Sequence, residues 1–181
     1  MGLDRHQLLS DLLIWPAIQP CTVSDGAAIN TYDVSPQKAT SVDSWSDGTT
    51  ADKYRFRKGL LVIQVASCGS DEDGLVPALY DDDAAMTSAS HAGATLAITF
   101  GTITAAGLYV AEFDLARVFA AAGARVVADA TAEIIRRYLN VRLSNDTGSN
   151  AVVAASLILG KNLGGFPDYV AGQELSVTYA S

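Results

Sequence analysis

Cysteine, histidine, tryptophan and methionine each occur only twice in the 181 residues, and each scarcity closes off a class of protein. Two cysteines, Cys21 and Cys68, cannot build a disulfide scaffold. Their neighbours, Pro20 and Thr22 or Ser67 and Gly69, include no second cysteine and no histidine. Two reduced thiols in or near a core are therefore expected, which suits assembly in a reducing compartment. His6 and His91 stand apart from both, without zinc-ligand spacing. Basic side chains are also few, 12 against 20 acids for a net charge of −8. The first hundred residues hold 13 of those acids and 6 of the bases. Such a chain lacks the basic stripe that a phosphate backbone or an anionic membrane surface requires. No nucleic-acid or membrane partner is expected. No apolar run reaches the roughly 18 residues of a spanning helix. The opening Met1 to His6 has no signal-like apolar stretch, so a soluble protein is expected.

Chemistry-bearing motifs are missing as well. There is no Gly-x-Ser-x-Gly elbow, no phosphate loop and no dinucleotide fingerprint. The densest carboxylate group is Asp81-Asp82-Asp83, with Asp71, Glu72 and Asp73 one predicted strand earlier. If the two groups converged they could hold Ca²⁺ or act as an acid and base pair. Consecutive residues point in different directions, however, and Asp81 to Asp83 are expected to be a solvated loop that ends a strand. No enzyme activity, metal or cofactor is expected.

What is present is apolar and patterned. The residues AVILMFWYC make up 49% of the chain and charged residues 18%, a globular balance. Leu8, Leu9, Leu12 and Leu13 recur at helical spacing, predicting a short helix or arm over residues 3–15 that Pro16 and Pro20 stop. Ile29 to Val34 reads as a strand, and 35–52 as a long Ser, Thr, Asp and Gly-rich loop around Trp45. Strand signals then become regular. They cover Leu60 to Ala66, Leu75 to Tyr80 and Ala94 to Phe100, the last with Ala94, Leu96, Ile98 and Phe100 on one face. Next comes a strand whose Tyr109, Ala111 and Phe113 oppose Glu112 and Asp114. Over 134–144, Leu139, Val141 and Leu143 oppose Tyr138, Asn140 and Arg142. Asp146-Thr147-Gly148 is turn chemistry, with Ala151 to Leu159 expected back as a hairpin partner. Residues 115–132 fit a short helix or a strand. Leu175 to Tyr179 suits a last short strand.

These signals predict a mostly β, jelly-roll-like antiparallel β-sandwich with an N-terminal arm or short helix and a C-terminal tail. The division expected is an arm at 1–20, a sandwich at 21–162 and a tail at 163–181. An arm with little core of its own predicts that Leu8, Leu9, Leu12 and Trp15 pack against another chain. In Lys53 to Lys58 a strand places Tyr54 and Phe56 inward and Lys53, Arg55 and Arg57 outward, where the bases could meet an acidic neighbour.

Several short segments, taken in order, resemble a known family. They are Leu3-Asp4 with Leu8-Leu9-Ser10-Asp11, then Asn30-Thr31-Tyr32-Asp33, then Leu61 to Val65. Arg137 to Leu143, Gly148 and Ala154 to Lys161 complete the set. Across roughly Leu3 to Asn162 the chain resembles the capsid cement, or decoration, proteins of tailed bacteriophages. The longer 35–52 loop, the apolar 12–15 stretch and the segment from Leu163 depart from that pattern. The resemblance implies a jelly roll on the outside of an icosahedral head, assembled in a host cytoplasm. It implies as partners the major capsid protein and further copies of the chain, as a dimer or trimer. Leu8, Leu9, Leu12, Trp15, Trp45, Arg55 and Arg57 are the candidate contacts. A carbohydrate- or receptor-type sandwich module of a phage tail is the other reading that the composition allows.

Overall fold

The computed structural model describes residues 12–30, 42–43, 58–82, 95–115, 117, 138–160 and 172–180. The strands are β1 (Leu12–Val23), β2 (Ala27–Asn30), β3 (Val42–Asp43), β4 (Lys58–Ser67), β5 (Gly74–Asp82) and β6 (Thr95–Phe100). They continue with β7 (Gly107–Asp114), β8 (Tyr138–Asp146), β9 (Ala151–Gly160), β10 (Gln173–Glu174) and β11 (Val177–Tyr179). Two sheets form a β-sandwich. Sheet A runs β1-β9-β4-β7-β10 and sheet B runs β11-β6-β5-β8-β2, with β3 also beside β8. The ladders follow one rule: β1 pairs β9, β2 pairs β8, β4 pairs β7 and β5 pairs β6, all antiparallel. Within β1 to β9 the outermost strands therefore pair with each other and the innermost likewise, β9 also meets β4 and β8 meets β5, while β10 and β11 add to the edges at β7 and β6.

Alternating side chains make the core. Leu61, Ile63 and Val65 of β4, Tyr109, Ala111 and Phe113 of β7, and Val153, Ala155, Leu157 and Leu159 of β9 face inward from sheet A. Leu75 and Leu79 of β5 and Leu139, Val141 and Leu143 of β8 meet them from sheet B. Phe100 and Phe113 pack edge-on across the gap, with centroids 5.9 Å apart. Gly59 completes this layer because a Cβ there would run into the Phe113 ring.

Four expectations change. The helix predicted to reach residue 15 gives way, from Leu12 onward, to strand β1. Pro16 and Pro20 lie at its two register shifts and do not end it. An edge strand tolerates residues without an N–H, and prolines there also discourage pairing with another chain. Second, the alternation expected over 94–100 breaks at Ala97. Leu79 pairs Ile98 but Tyr80 pairs Leu96, so Ala97 is an inserted residue, and Leu96 turns out to solvent at 37% exposure. Third, β9 is no hairpin partner of β8. The turn after Asp146 carries the chain into the opposite sheet, where β9 lies between β1 and β4. Fourth, residues 172–180, grouped by sequence with the tail, supply β10 and β11 and one edge strand to each sheet. Likewise residues 12–20, grouped with the arm, belong to the sandwich. The ambiguous stretch 115–132 lies outside the described residues apart from Leu115 and Arg117.

Candidate functional site

Of the sequence-predicted contact residues, Leu12 and Trp15 fall within the described part, both in β1. Trp15 is 3% exposed and belongs to the sandwich's own core. It cannot serve as an interface anchor, because β1 has a sheet partner in β9 and turns the indole inward. Leu8, Leu9, Trp45, Arg55, Arg57 and both histidines lie outside the described residues. So do 53–57 of the basic and aromatic segment. Its last member, Lys58, stands 3.5 Å from the Glu112 carboxylate on the outer face of sheet A.

The two carboxylate groups do not converge. Asp71 to Asp73 precede β5 while Asp81 and Asp82 close it, so the groups are separated by roughly 25 Å of extended strand. Asp81 is also no solvated loop residue. It is buried and shares the inner side of β5 with Leu75 and Leu79. Asp83 lies outside the described residues. Among the described residues no three His, Cys, Asp or Glu side chains are placed to hold a metal ion.

Two surfaces stand out instead. The first is one end of the sandwich, where three connections are tied together: 24–26 after β1, 68–73 after β4 and 147–150 after β8. Asn145 and Thr147 are buried there, each 1% exposed. The Asn145 amide donates to Val23 O at 3.0 Å and Ser149 O at 2.9 Å. The Thr147 hydroxyl accepts from the Gly69 N–H at 3.0 Å and lies 2.8 Å from Asn145 Oδ1 and 2.9 Å from Ser149 O. Gly148 has φ +73°, and its N–H donates to Asp25 Oδ1 at 2.9 Å. A Cβ there would collide with the Asp71 carboxylate, so glycine suits both the left-handed backbone and the close approach. Sequence marked this stretch as a turn. Its long-range ties to Val23, Asp25 and Gly69 follow only from the folded arrangement.

The second surface is the outer face of sheet A. In register across three strands lie Ile14, Ile158 and Leu60, and beside them Val62 and Val110, then Leu108, with Val152 further along. Ile14 is 61% exposed and Leu108 37%. Leu60 is buried although it is not part of the core cluster. Among the described residues charge on this face lies at the Lys58, Glu112 and Asp114 corner and at Glu174, beside Val110 on the β10 edge. The strand signals showed the inward set clearly. They gave no reason to single out the apolar outward set, because the leucine spacing puts Ile14 in a helix or arm.

The thiols are poorly suited to nucleophilic chemistry. Partial burial raises the pKa of both Cys21 and Cys68, which disfavours the thiolate. Burial, and then the charge of a Cys68 thiolate, raises that of Tyr109, whose hydroxyl donates to Ala105 O at 2.8 Å. Comparison with known proteins adds no relative: no protein-family model and no curated protein matches the chain.

Proposed function

We propose that this chain is a structural virion protein, a cement or decoration protein that binds the outside of an icosahedral bacteriophage head. The observation that carries the reading is the ladder order, in which β1, β2, β4 and β5 pair in turn with β9, β8, β7 and β6. That order supports the jelly roll that the resemblance over residues 3–162 implies. The outer face of sheet A is the contact surface that fits it, being apolar at Ile14, Leu108 and Val152, with charged residues along its Lys58–Asp114 corner and at Glu174. A cementing protein needs no active site. It gains from many equivalent contacts, because each copy held by two neighbours binds its second site at high effective concentration. It also stabilises the assembled shell by binding that state alone.

The test is a DNA-release curve on particles assembled with and without the chain. Complete shells are expected to hold their DNA to higher temperature, and Ile14→Lys or Leu108→Glu protein to give little protection despite an unchanged fold. Identical release curves for bare and complete shells would exclude cementing and favour a tail or receptor-binding role.

A further inference from the structure

The dipeptide Asp-Gly occurs three times, at Asp25-Gly26, Asp47-Gly48 and Asp73-Gly74. In such a pair the main-chain nitrogen of the glycine can attack the side-chain carbonyl carbon of the aspartate, because no Cβ on the glycine stands in the way. Asp47-Gly48 lies outside the described residues, and the other two pairs sit in opposite surroundings. Asp25 and Gly26 are both exposed, in the turn after β1 that Ala27 N–H closes on Ser24 O at 3.1 Å. Gly26 has φ +69°, and nothing lies within 4 Å of the place its Cβ would occupy. The Asp25 carboxylate accepts from the Gly148 N–H at 2.9 Å, and the Asp25 N–H donates to Asn150 Oδ1 at 3.3 Å. Both bonds are exposed, so water replaces them at little cost.

Asp73-Gly74 is fixed far more firmly. The Gly74 N–H, on the nitrogen that would have to attack, donates to Asp71 O at 3.1 Å. Gly74 is buried, and atoms of Thr102, Ile103 and Thr104 crowd the place of its Cβ. The next residue, Leu75, exchanges two backbone hydrogen bonds with Ile103, at 2.8 and 2.9 Å. Turning this peptide for attack would undo the start of β5.

We propose that Asp25-Gly26 is a site of spontaneous isoaspartate formation, and that the fold spares Asp73-Gly74. With the Asp25 carboxyl in its acid form, the Gly26 nitrogen bonds to Cγ. One side-chain oxygen leaves as water, carrying the carboxyl proton and the amide proton, and a five-membered succinimide remains. Water then opens the ring. Attack at Cγ restores aspartate, whereas attack at the Asp25 main-chain carbonyl carbon leaves the chain running through Cβ and Cγ. That product has one more methylene in its backbone and its free carboxylate on the Cα of residue 25. The bond from Gly148 N–H is lost with the original side chain, and with it one of the ties between 24–26 and 147–150. The modification therefore ages the end of the sandwich at which the three connections are joined.

The test uses the purified full chain, without particles, so its outcome is independent of the capsid reading. Folded protein and protein unfolded in guanidinium chloride are held at mildly acidic pH until the unfolded sample contains isoaspartate at both residues 25 and 73. Both samples are then digested and mapped by electron-transfer mass spectrometry, whose backbone fragments distinguish the two isomers. In the folded sample the yield at residue 25 is expected to exceed that at residue 73 by about fivefold or more, the factor that one protected backbone bond contributes to local opening. In the unfolded sample the two yields converge. A smaller ratio in the folded chain, or no isoaspartate at residue 25 there, overturns the proposal.

Discussion

Removing the hydroxyl of Thr147 while keeping its shape isolates what the buried polar cluster contributes. Thr147→Val leaves the Gly69 N–H without its acceptor and Asn145 Oδ1 without the hydroxyl beside it. A buried partner left unsatisfied costs about 1–3 kcal/mol, so about 2 kcal/mol is expected. Asn145→Ala removes the two bonds to Val23 O and Ser149 O as well as the Thr147 contact. About 3 kcal/mol follows, again from the cost per buried group. Independent effects would add to about 5 kcal/mol, but the Thr147–Asn145 contact is lost only once, so the double variant should cost about 4 kcal/mol, a coupling of about 1 kcal/mol. Asn150→Ala is the control. It removes only an exposed 3.3 Å bond from the Asp25 N–H and should change stability by under about 0.5 kcal/mol. Urea unfolding of the four proteins measures these values, with m unchanged if the denatured state is unaltered. Single variants within about 0.5 kcal/mol of the parent, or strict additivity, would refute the argument that this cluster locks the three connections together.

Trp15→Ala should cost about 3–5 kcal/mol in the same assay, as a core truncation does. An indole serving only another chain would leave the isolated protein's stability nearly unchanged. Stability should also decline in alkali. Cys21, Cys68 and Tyr109 have raised folded pKa values, so the native state holds these protons more tightly than the unfolded chain. Their contribution is full below the ordinary thiol range, near pH 8.5, and is lost as pH rises through the folded values. A melting series from about pH 8 to 11 should fall, and fall less steeply for Cys21→Ser/Cys68→Ser. A flat series would overturn the assignment.

Much of the sandwich was legible from the side-chain period alone. Tyr109, Ala111 and Phe113, or Leu139, Val141 and Leu143, could face inward only if each segment were extended, and the structure places them so. A class dominated by short alternating segments and glycine-rich turns follows from the same local rule. Helical spacing misled at Leu12 because Leu12 and Leu13 also suit an extended edge strand, and register shifts around Pro16 and Pro20 hide its period. The inserted Ala97 hid the outward turn of Leu96 in the same way. Which strands pair was not local information. Whether β9 returned beside β8 or crossed to β1 and β4 depended on a turn whose anchors, Val23, Asp25 and Gly69, lie 78 or more residues away in the chain. Burial of Asp81, the outer stripe around Ile14 and the edge strands β10 and β11 belong to that same level. Each depends on which side of a packed sheet a residue finally occupies, and packing between distant segments decides that where periodicity cannot.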